Sequence, residues 1–355
     1  NTFNFSQNYV NLEYKTKQLW TEQFNWFVNY ANTFGKHDVA AMVVFEQASN
    51  GGEEVSAKGE SPLTNLDQMF NYSSDALRRW GEAKEKNGGR LSWIGRFNYT
   101  FDQKYIAEFS FRYDGNTLFP DGKRWGFFPS VSAAWRISQE SFMKDTKWIN
   151  DLKLRAGYGI TGNQDGLRPY KSLDLYSASG TYYNNGSWPT AFRPSQNANP
   201  NLKWEETTTW NAGFDFGFLD NRITSSLDYY YRETKDLINV IDVPAGTNFK
   251  NRIVSNIGSL RNQGVEFSIN AKAISTSDWK WDLGFNVAWN NNEITKLTAQ
   301  DDASSIVLTG TVEGGTGTMI QAQGVNHPAN SFYVYEQVYD QQGNPIEGLY
   351  VDRNG

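Results

Sequence analysis

Odd-numbered positions from 91 to 101 are Leu91, Trp93, Gly95, Phe97, Tyr99 and Phe101, with Ser92, Ile94, Arg96, Asn98 and Thr100 between them. The next run repeats the pattern, setting Tyr105, Ala107, Phe109, Phe111 and Tyr113 against Glu108, Ser110 and Arg112. Side chains alternate across a strand, so each run has one apolar, aromatic face and one charged face. Only Asp102, Gln103 and Lys104 join the two runs, which predicts a tight hairpin. Period-two segments recur near 8–18, 21–32, 37–47, 90–101, 105–115, 125–138, 152–162, 203–218, 223–236, 263–274 and 279–294. That makes eleven strands, and a twelfth is expected near Phe332.

The faces keep their character along the chain. Leu152, Leu154, Ala156, Tyr158 and Ile160 fall on one apolar face, and Trp210, Ala212, Phe214, Phe216 and Phe218 on another. Ile223, Leu227, Tyr229 and Tyr231 follow, then Val265, Phe267, Ile269, Ala271 and Ala273, then Trp281, Leu283, Phe285, Val287 and Trp289. The opposite faces carry Lys153, Arg155, Glu205, Asp215, Asp228, Arg232, Glu266, Lys272 and Asp282. Most segments exceed the roughly nine to eleven residues that a tilted strand needs to cross a bilayer. An apolar outer face and a polar inner face predict a transmembrane antiparallel β-barrel, an all-β fold.

Connection lengths support this. Short links at Thr33–Lys36, Asp102–Lys104, Leu219–Asn221 and Ser275–Asp278 alternate with long ones near 48–89, 116–124, 163–202, 237–262 and 295–331. Gln139 to Asp151 falls on the short side by parity, and a short link near Lys17 to Trp20 breaks the alternation. Short turns on one rim and long loops on the other describe outer-membrane barrels, turns periplasmic and loops extracellular.

Composition narrows the classes. No run reaches the roughly 18 apolar residues of a membrane helix. Mean hydropathy is negative, as a barrel allows because only alternate residues meet lipid. Thirteen Trp, 19 Tyr and 23 Phe, 15% of the chain, suit aromatic girdles at the membrane surfaces. No cysteine is present, which removes disulfides and thiolate chemistry. A net charge of −6 argues against nucleic acid as a partner. The chain opens in strand-like sequence without a signal peptide and stops at Gly355, so it is expected to be an internal part of a longer protein.

Five strings then point to one family. They are Arg124-Trp125-Gly126-Phe127-Phe128-Pro129-Ser130 with Trp135-Arg136-Ile137-Ser138; Leu152 to Asn163 (LKLRAGYGITGN); and Asn199-Pro200-Asn201-Leu202-Lys203-Trp204-Glu205. Gly213 to Leu219 (GFDFGFL) and Asn256 to Phe267 (NIGSLRNQGVEF) complete the set. Together, over about Asn8 to Gly355, they resemble the barrel of the SusC/RagA class of TonB-dependent outer-membrane transporters of Bacteroidota. The resemblance implies a barrel of about 22 strands, closed by an N-terminal plug, energised through the TonB complex and capped by a SusD-like surface lipoprotein. Residues 1–355 would be a partial barrel domain, with the plug, the TonB box and the final strands absent. The implied activity is active import of oligosaccharides, or else peptides, across the bacterial outer membrane.

No catalytic constellation is visible. His37 lies beside a predicted turn and His327 in a loop, so no Ser-His-Asp arrangement or metal cluster forms around either, and neither an enzyme nor a cofactor is expected. Glu313-Gly314-Gly315-Thr316-Gly317 lacks the lysine and helix of a phosphate loop. Asp301-Asp302 has the chemistry for calcium, but such pairs are usually solvated. The binding candidates are Tyr182, Tyr183, Asn184, Asn185, Trp188, Phe192 and Arg193 in the long 163–202 loop. Three roles are open to them: stacking on a sugar or peptide, contact with the lipoprotein, or packing the loop. Trp93, Trp125, Trp210, Trp279, Trp281 and Trp289 are assigned to the girdles. Arg96, Arg112, Arg136, Lys153 and Arg155 are expected to face the lumen, pairing with carboxylates of plug and wall or, less often, touching substrate. Two rival readings are a passive twelve-stranded channel and a soluble β-rich adhesin whose aromatic faces meet a second sheet.

Overall fold

The structure is a computed structural model and describes residues 10–61, 79–244, 246, 250–298, 305–311 and 319–351. Its strands in chain order begin with β1 (Val10–Phe34), β2 (His37–Ser61), β3 (Arg79–Phe101), β4 (Tyr105–Asn116), β5 (Trp125–Arg136) and β6 (Ile149–Asn163). Then come β7 (Leu175–Thr181), β8 (Thr190–Gln196), β9 (Glu205–Phe218), β10 (Ile223–Lys235), β11 (Ile238–Asp242) and β12 (Arg252–Asn256). The last are β13 (Ser259–Ser275), β14 (Lys280–Lys296), β15 (Ile306–Thr311), β16 (Met319–Gly324), β17 (Ser331–Phe332), β18 (Gln337–Tyr339) and β19 (Pro345–Tyr350).

Ten of them form one antiparallel sheet in the order β1-β2-β3-β4-β5-β6-β9-β10-β13-β14, with β1 and β14 at its edges. The sequence predicts eleven, because it breaks the first segment near Lys17 to Trp20. The chain does not turn there: Lys17, Gln18, Leu19 and Trp20 stay in register with Glu54, Glu53, Gly52 and Gly51 of β2. None of the four is a turn-forming residue. Removing that false turn also removes the one exception to the alternation of short and long links. The expected twelfth wall strand is absent from this sheet: Ser331–Phe332 is a two-residue strand paired with β16. Phe332, Tyr333, Val334 and Tyr335 form a continuous apolar run rather than an alternating one, so they have no single face to offer a wall.

The expected long loops carry strands of their own. Pairing of β2 with β3 continues past a bulge at Asn50/Gly51 to Lys58 opposite Arg79, well inside the expected 48–89 loop. The 163–202 loop holds hairpin β7–β8, the 237–262 loop hairpin β11–β12, and 295–331 the β15–β16–β17 sheet. Outside a bilayer a strand needs no apolar face, so periodicity cannot reveal these pieces.

Within the wall the two faces hold. Phe45, Trp93 and Tyr113 are neighbours across β2, β3 and β4, and Tyr158, Trp210 and Tyr231 across β6, β9 and β10. The rings touch, with centroids 4.9 Å apart for Phe45–Trp93 and 4.3 Å for Tyr158–Trp210. All six tryptophans assigned to the girdles are exposed. Aromatic ends recur eight positions apart in β4 (Tyr105, Tyr113), β9 (Trp210, Phe218) and β14 (Trp281, Trp289). At about 3.3 Å per residue and a tilt near 40°, that spacing is about 20 Å along the bilayer normal, close to the apolar band of such barrels.

Two of the expected apolar positions, Ala273 and Ile160, depart from the alternation. A bulge between Lys272 and Ile274 puts Ile274, not Ala273, beside Trp281 on the apolar face. Ile160, expected on the apolar face, packs against an inward cluster of Phe119, Phe128, Leu167, Leu202 and Trp204. Its strand has by then lost its β5 partner, since that ladder ends at Ser130 opposite Gly159. Phe128 fills the gap, and a Cβ on Gly162 would lie 2.1 Å from its ring.

Candidate functional site

The polar face of the wall is an ion-pair lattice. Arg155 donates Nε and Nη2 to the two carboxylate oxygens of Asp215 at 2.9 and 2.8 Å, a bidentate fork. Its Nη2 lies 3.0 Å from Asp228 on the next strand, and Lys153 Nζ lies 2.8 Å from Asp215. Gly213 stands in register between Arg155 and Asp228, and a Cβ there would come within 2.2 Å of the Asp228 carboxylate. A second group joins Arg112 to Asp114 at 2.8 Å, Arg112 Nη2 to Ser92 Oγ at 3.2 Å, and Arg90 to Glu46 at 2.8 Å. Arg96 pairs with Glu108 at 2.7 Å.

Four of the five expected lumen cations thus share the polar face with carboxylates of the wall itself. Arg136 differs. It ends β5 opposite Lys153, at the short-turn rim, where Nη1 donates to the Gln103 carbonyl at 3.5 Å. Sequence reasoning missed Glu46, Arg90 and Asp114, although the even spacing of Arg90, Ser92 and Arg96 on one strand was a usable signal.

At the other rim the Asn199 to Glu205 string proves to be a clasp. Asn197 Nδ2 donates to the carbonyls of Lys250 and Arg252 at 2.7 and 3.0 Å, and Asn199 Nδ2 to that of Val254 at 2.8 Å. Asn256 Nδ2 returns the favour to the Lys203 carbonyl at 2.8 Å, while buried Glu205 accepts from Asn163 Nδ2 and the Ile238 amide, both at 2.6 Å. Side-chain amides satisfying backbone groups need no strand partner. The base of hairpin β7–β8 is thereby tied to hairpin β11–β12.

Tyr182, Tyr183, Asn184, Asn185 and Trp188 sit at the far end of β7–β8, with Phe192 and Arg193 back along β8. Asn185 (φ 44°) and Gly186 (φ 84°) make its turn, closed by the amide of Ser187 donating to the Asn184 carbonyl at 3.0 Å. Tyr183 and Trp188 meet edge to face, centroids 5.3 Å apart. Tyr182, Tyr183, Trp188 and Phe192 are 52%, 63%, 67% and 69% exposed, so most of their ring surface is free. Arg193 lies opposite Ser177, and Phe192 opposite Ala178.

His37 shares a 2.8 Å hydrogen bond with Tyr99 OH and packs on Phe101, an ordinary turn residue. His327 engages backbone groups of the Gly324 turn and Ile294. Asp301-Asp302 and Glu313 to Gly317 lie outside the described residues. At the short-turn rim, Glu140 accepts from Tyr105 OH at 2.6 Å, Trp135 Nε1 at 3.1 Å and Lys104 Nζ at 3.2 Å. These donors, the tyrosine hydroxyl foremost, hold its carboxyl below the usual range.

Comparison with known proteins agrees with this architecture. The profile of the family described as TonB dependent receptor-like, beta-barrel, matches residues 1–316. The TonB-dependent receptor SusC of Bacteroides thetaiotaomicron is 43% identical over 99% of this chain and 35% of its own length. TonB-dependent receptor P3 of Formosa agariphila is 33% identical over 91% of this chain and 32% of its own. Among solved structures, the RagAB peptide importer in its closed-closed state superposes with a TM-score of 0.77 at 24% identity, covering 95% of this chain and 37% of that one. The chain therefore spans about a third of the relatives it matches. A wall with an apolar outer face, a paired polar inner face and loops on one rim, read with these matches, makes the chain a member of the TonB-dependent receptor β-barrel family of the outer membrane, in its SusC/RagA class.

Proposed function

We propose that this chain forms part of the barrel wall of a TonB-dependent active importer that takes up oligosaccharides with a SusD-like lipoprotein. No bond is made or broken. Substrate is held between wall, loops and lipoprotein, and the TonB complex, acting through a plug, opens the path inward. The observation that carries this reading is the β7–β8 hairpin, fixed at its base, whose tip bears three largely exposed rings with Asn184 and Asn185 and whose β8 strand adds Phe192 and Arg193. Flat aromatic faces with amide neighbours match the apolar face and hydroxyl edge of a sugar ring. Peptide cargo is the second reading, favoured by the structural likeness to a protein described as a peptide importer.

The test is purification of the full-length protein in detergent from its native outer membrane, with uptake measured in cells with and without TonB. A stoichiometric lipoprotein and TonB-dependent uptake are expected. A lone conducting barrel of the size of this 40.4 kDa chain would overturn the importer.

A further inference from the structure

The polar face of the wall holds an open cleft of about 590 Å³ just under the loop rim, and none of the hairpin aromatics lines it. That volume lies within the roughly 300–1,000 Å³ of ligand clefts. Ser110 and Ser130 form its floor, in register across β4 and β5, with Gly162 of β6 also lining it. Two small residues side by side make a depression in a wall whose next inward positions are Arg96 and Arg112. Phe128 and Trp204 close one end.

Its fixed charges are already balanced. Arg112 is held by Asp114, and Arg90 by Glu46, so neither is a free anion receptor. Hydrogen-bonding groups remain. The hydroxyls of Ser110, Ser130 and Thr161 have no side-chain partner among the described residues, and Gln164 uses only its Oε1, accepting from Asn116 Nδ2 at 2.6 Å. Asp165 adds an exposed carboxylate at the loop edge of the cleft. Groups that both donate and accept, compensated charge and one negative edge suit a polyol without charge and repel an acidic one.

We infer that this cleft is a binding site for an uncharged oligosaccharide, with Ser110, Ser130, Thr161 and Gln164 as its hydrogen-bonding groups and Asp165 excluding acidic glycans. The site rests on the importer reading and gives its cargo a place on the wall, separate from the hairpin.

The experiment is calorimetric titration of the full-length protein, with its lipoprotein where one co-purifies. The probes are maltohexaose, laminarihexaose, hexagalacturonate and a capped hexa-alanine peptide. Ser130→Tyr fills the floor and is expected to weaken binding of an uncharged hexasaccharide at least tenfold, while Lys144→Gln at the opposite rim leaves it within twofold. Asp165→Lys, on an exposed edge that needs no repacking, is expected to admit hexagalacturonate. Retained heat-modifiable gel migration shows that each variant is folded. Equal hexasaccharide affinity in wild type and folded Ser130→Tyr overturns the cleft and leaves TonB-dependent uptake untouched. Peptide binding that Ser130→Tyr abolishes overturns the ligand class. Absence of hexasaccharide binding to the wild type overturns the site, whereas loss of TonB-dependence in cells overturns the importer itself.

Discussion

Single residues decide how the two faces of this wall are held. Arg155 bridges Asp215 and Asp228 across three strands through a gap that only Gly213 leaves open. Gly213→Ala therefore forces the carboxylate or the guanidinium aside and is expected to cost about 1–3 kcal/mol, read as a lower unfolding temperature in detergent. Arg155→Met removes charged hydrogen bonds of about 1.5–3 kcal/mol each and leaves Asp228 without its cation and Asp215 with Lys153 alone, so its loss is expected to be the larger. At the short-turn rim Glu140 has its folded pKa lowered by Tyr105, Trp135 and Lys104. A depressed carboxylate stabilises the fold above its unfolded pKa, and that stabilisation is lost as pH falls through the folded value. Protection of the Ile137–Trp148 amides, taken relative to their intrinsic exchange rates, is thus expected to fall as pH drops below the ordinary carboxylate range, and Glu140→Gln to remove that dependence. None of these partners was legible in the sequence, because the alternation shows which face a side chain takes, not which neighbour it meets.

Among elements, the contrast between wall and loop is one of solvent. Wall strands were legible wherever lipid demanded an apolar face, and β4, β9 and β10 fall within two residues of the expected bounds. Hairpins β7–β8 and β11–β12 were read as loop because, outside the bilayer, neither needs an alternating apolar face, although Ile238 and Val254 of β11–β12 pack on the Phe119–Trp204 cluster. Their positions depend on the Asn197, Asn199 and Asn256 amides bonding to backbone carbonyls. Asn199→Ala loses one such bond, about 1 kcal/mol. Exchange of the β12 amides is expected to rise roughly fivefold by that measure, with the wall strands unaffected. The Asn-Pro-Asn motif was visible at once; its role as a clasp required the coordinates of a segment some fifty residues away.

Over the whole molecule, function follows from the sheet's asymmetry. The outer face gives lipid an aromatic surface, the inner face gives the lumen a compensated polar one, and the loop rim carries the candidate binding groups. Trp188→Ala with Tyr183→Ala removes two of the three exposed rings at the β7–β8 tip. Base-to-ring stacking losses in other systems, about 1–3 kcal/mol per ring, set the scale for sugar stacking here. The double variant is expected to raise the apparent uptake constant at least tenfold while leaving the unfolding temperature in place. An unchanged uptake constant would assign these rings to contacts other than cargo.

The sequence by itself determined the all-β class, the membrane-facing and lumen-facing sets, the rim to which loops belong and the family. All of these are local or periodic properties, imposed on each strand separately by the pleat and by lipid. Only the tertiary structure decided that β1 is one strand, that Ile274 replaces Ala273 at a bulge, that Ile160 turns inward, and that Ser110 and Ser130 line up as a floor. Those features depend on register between strands far apart in the chain, and register is set by pairing, which no single strand encodes.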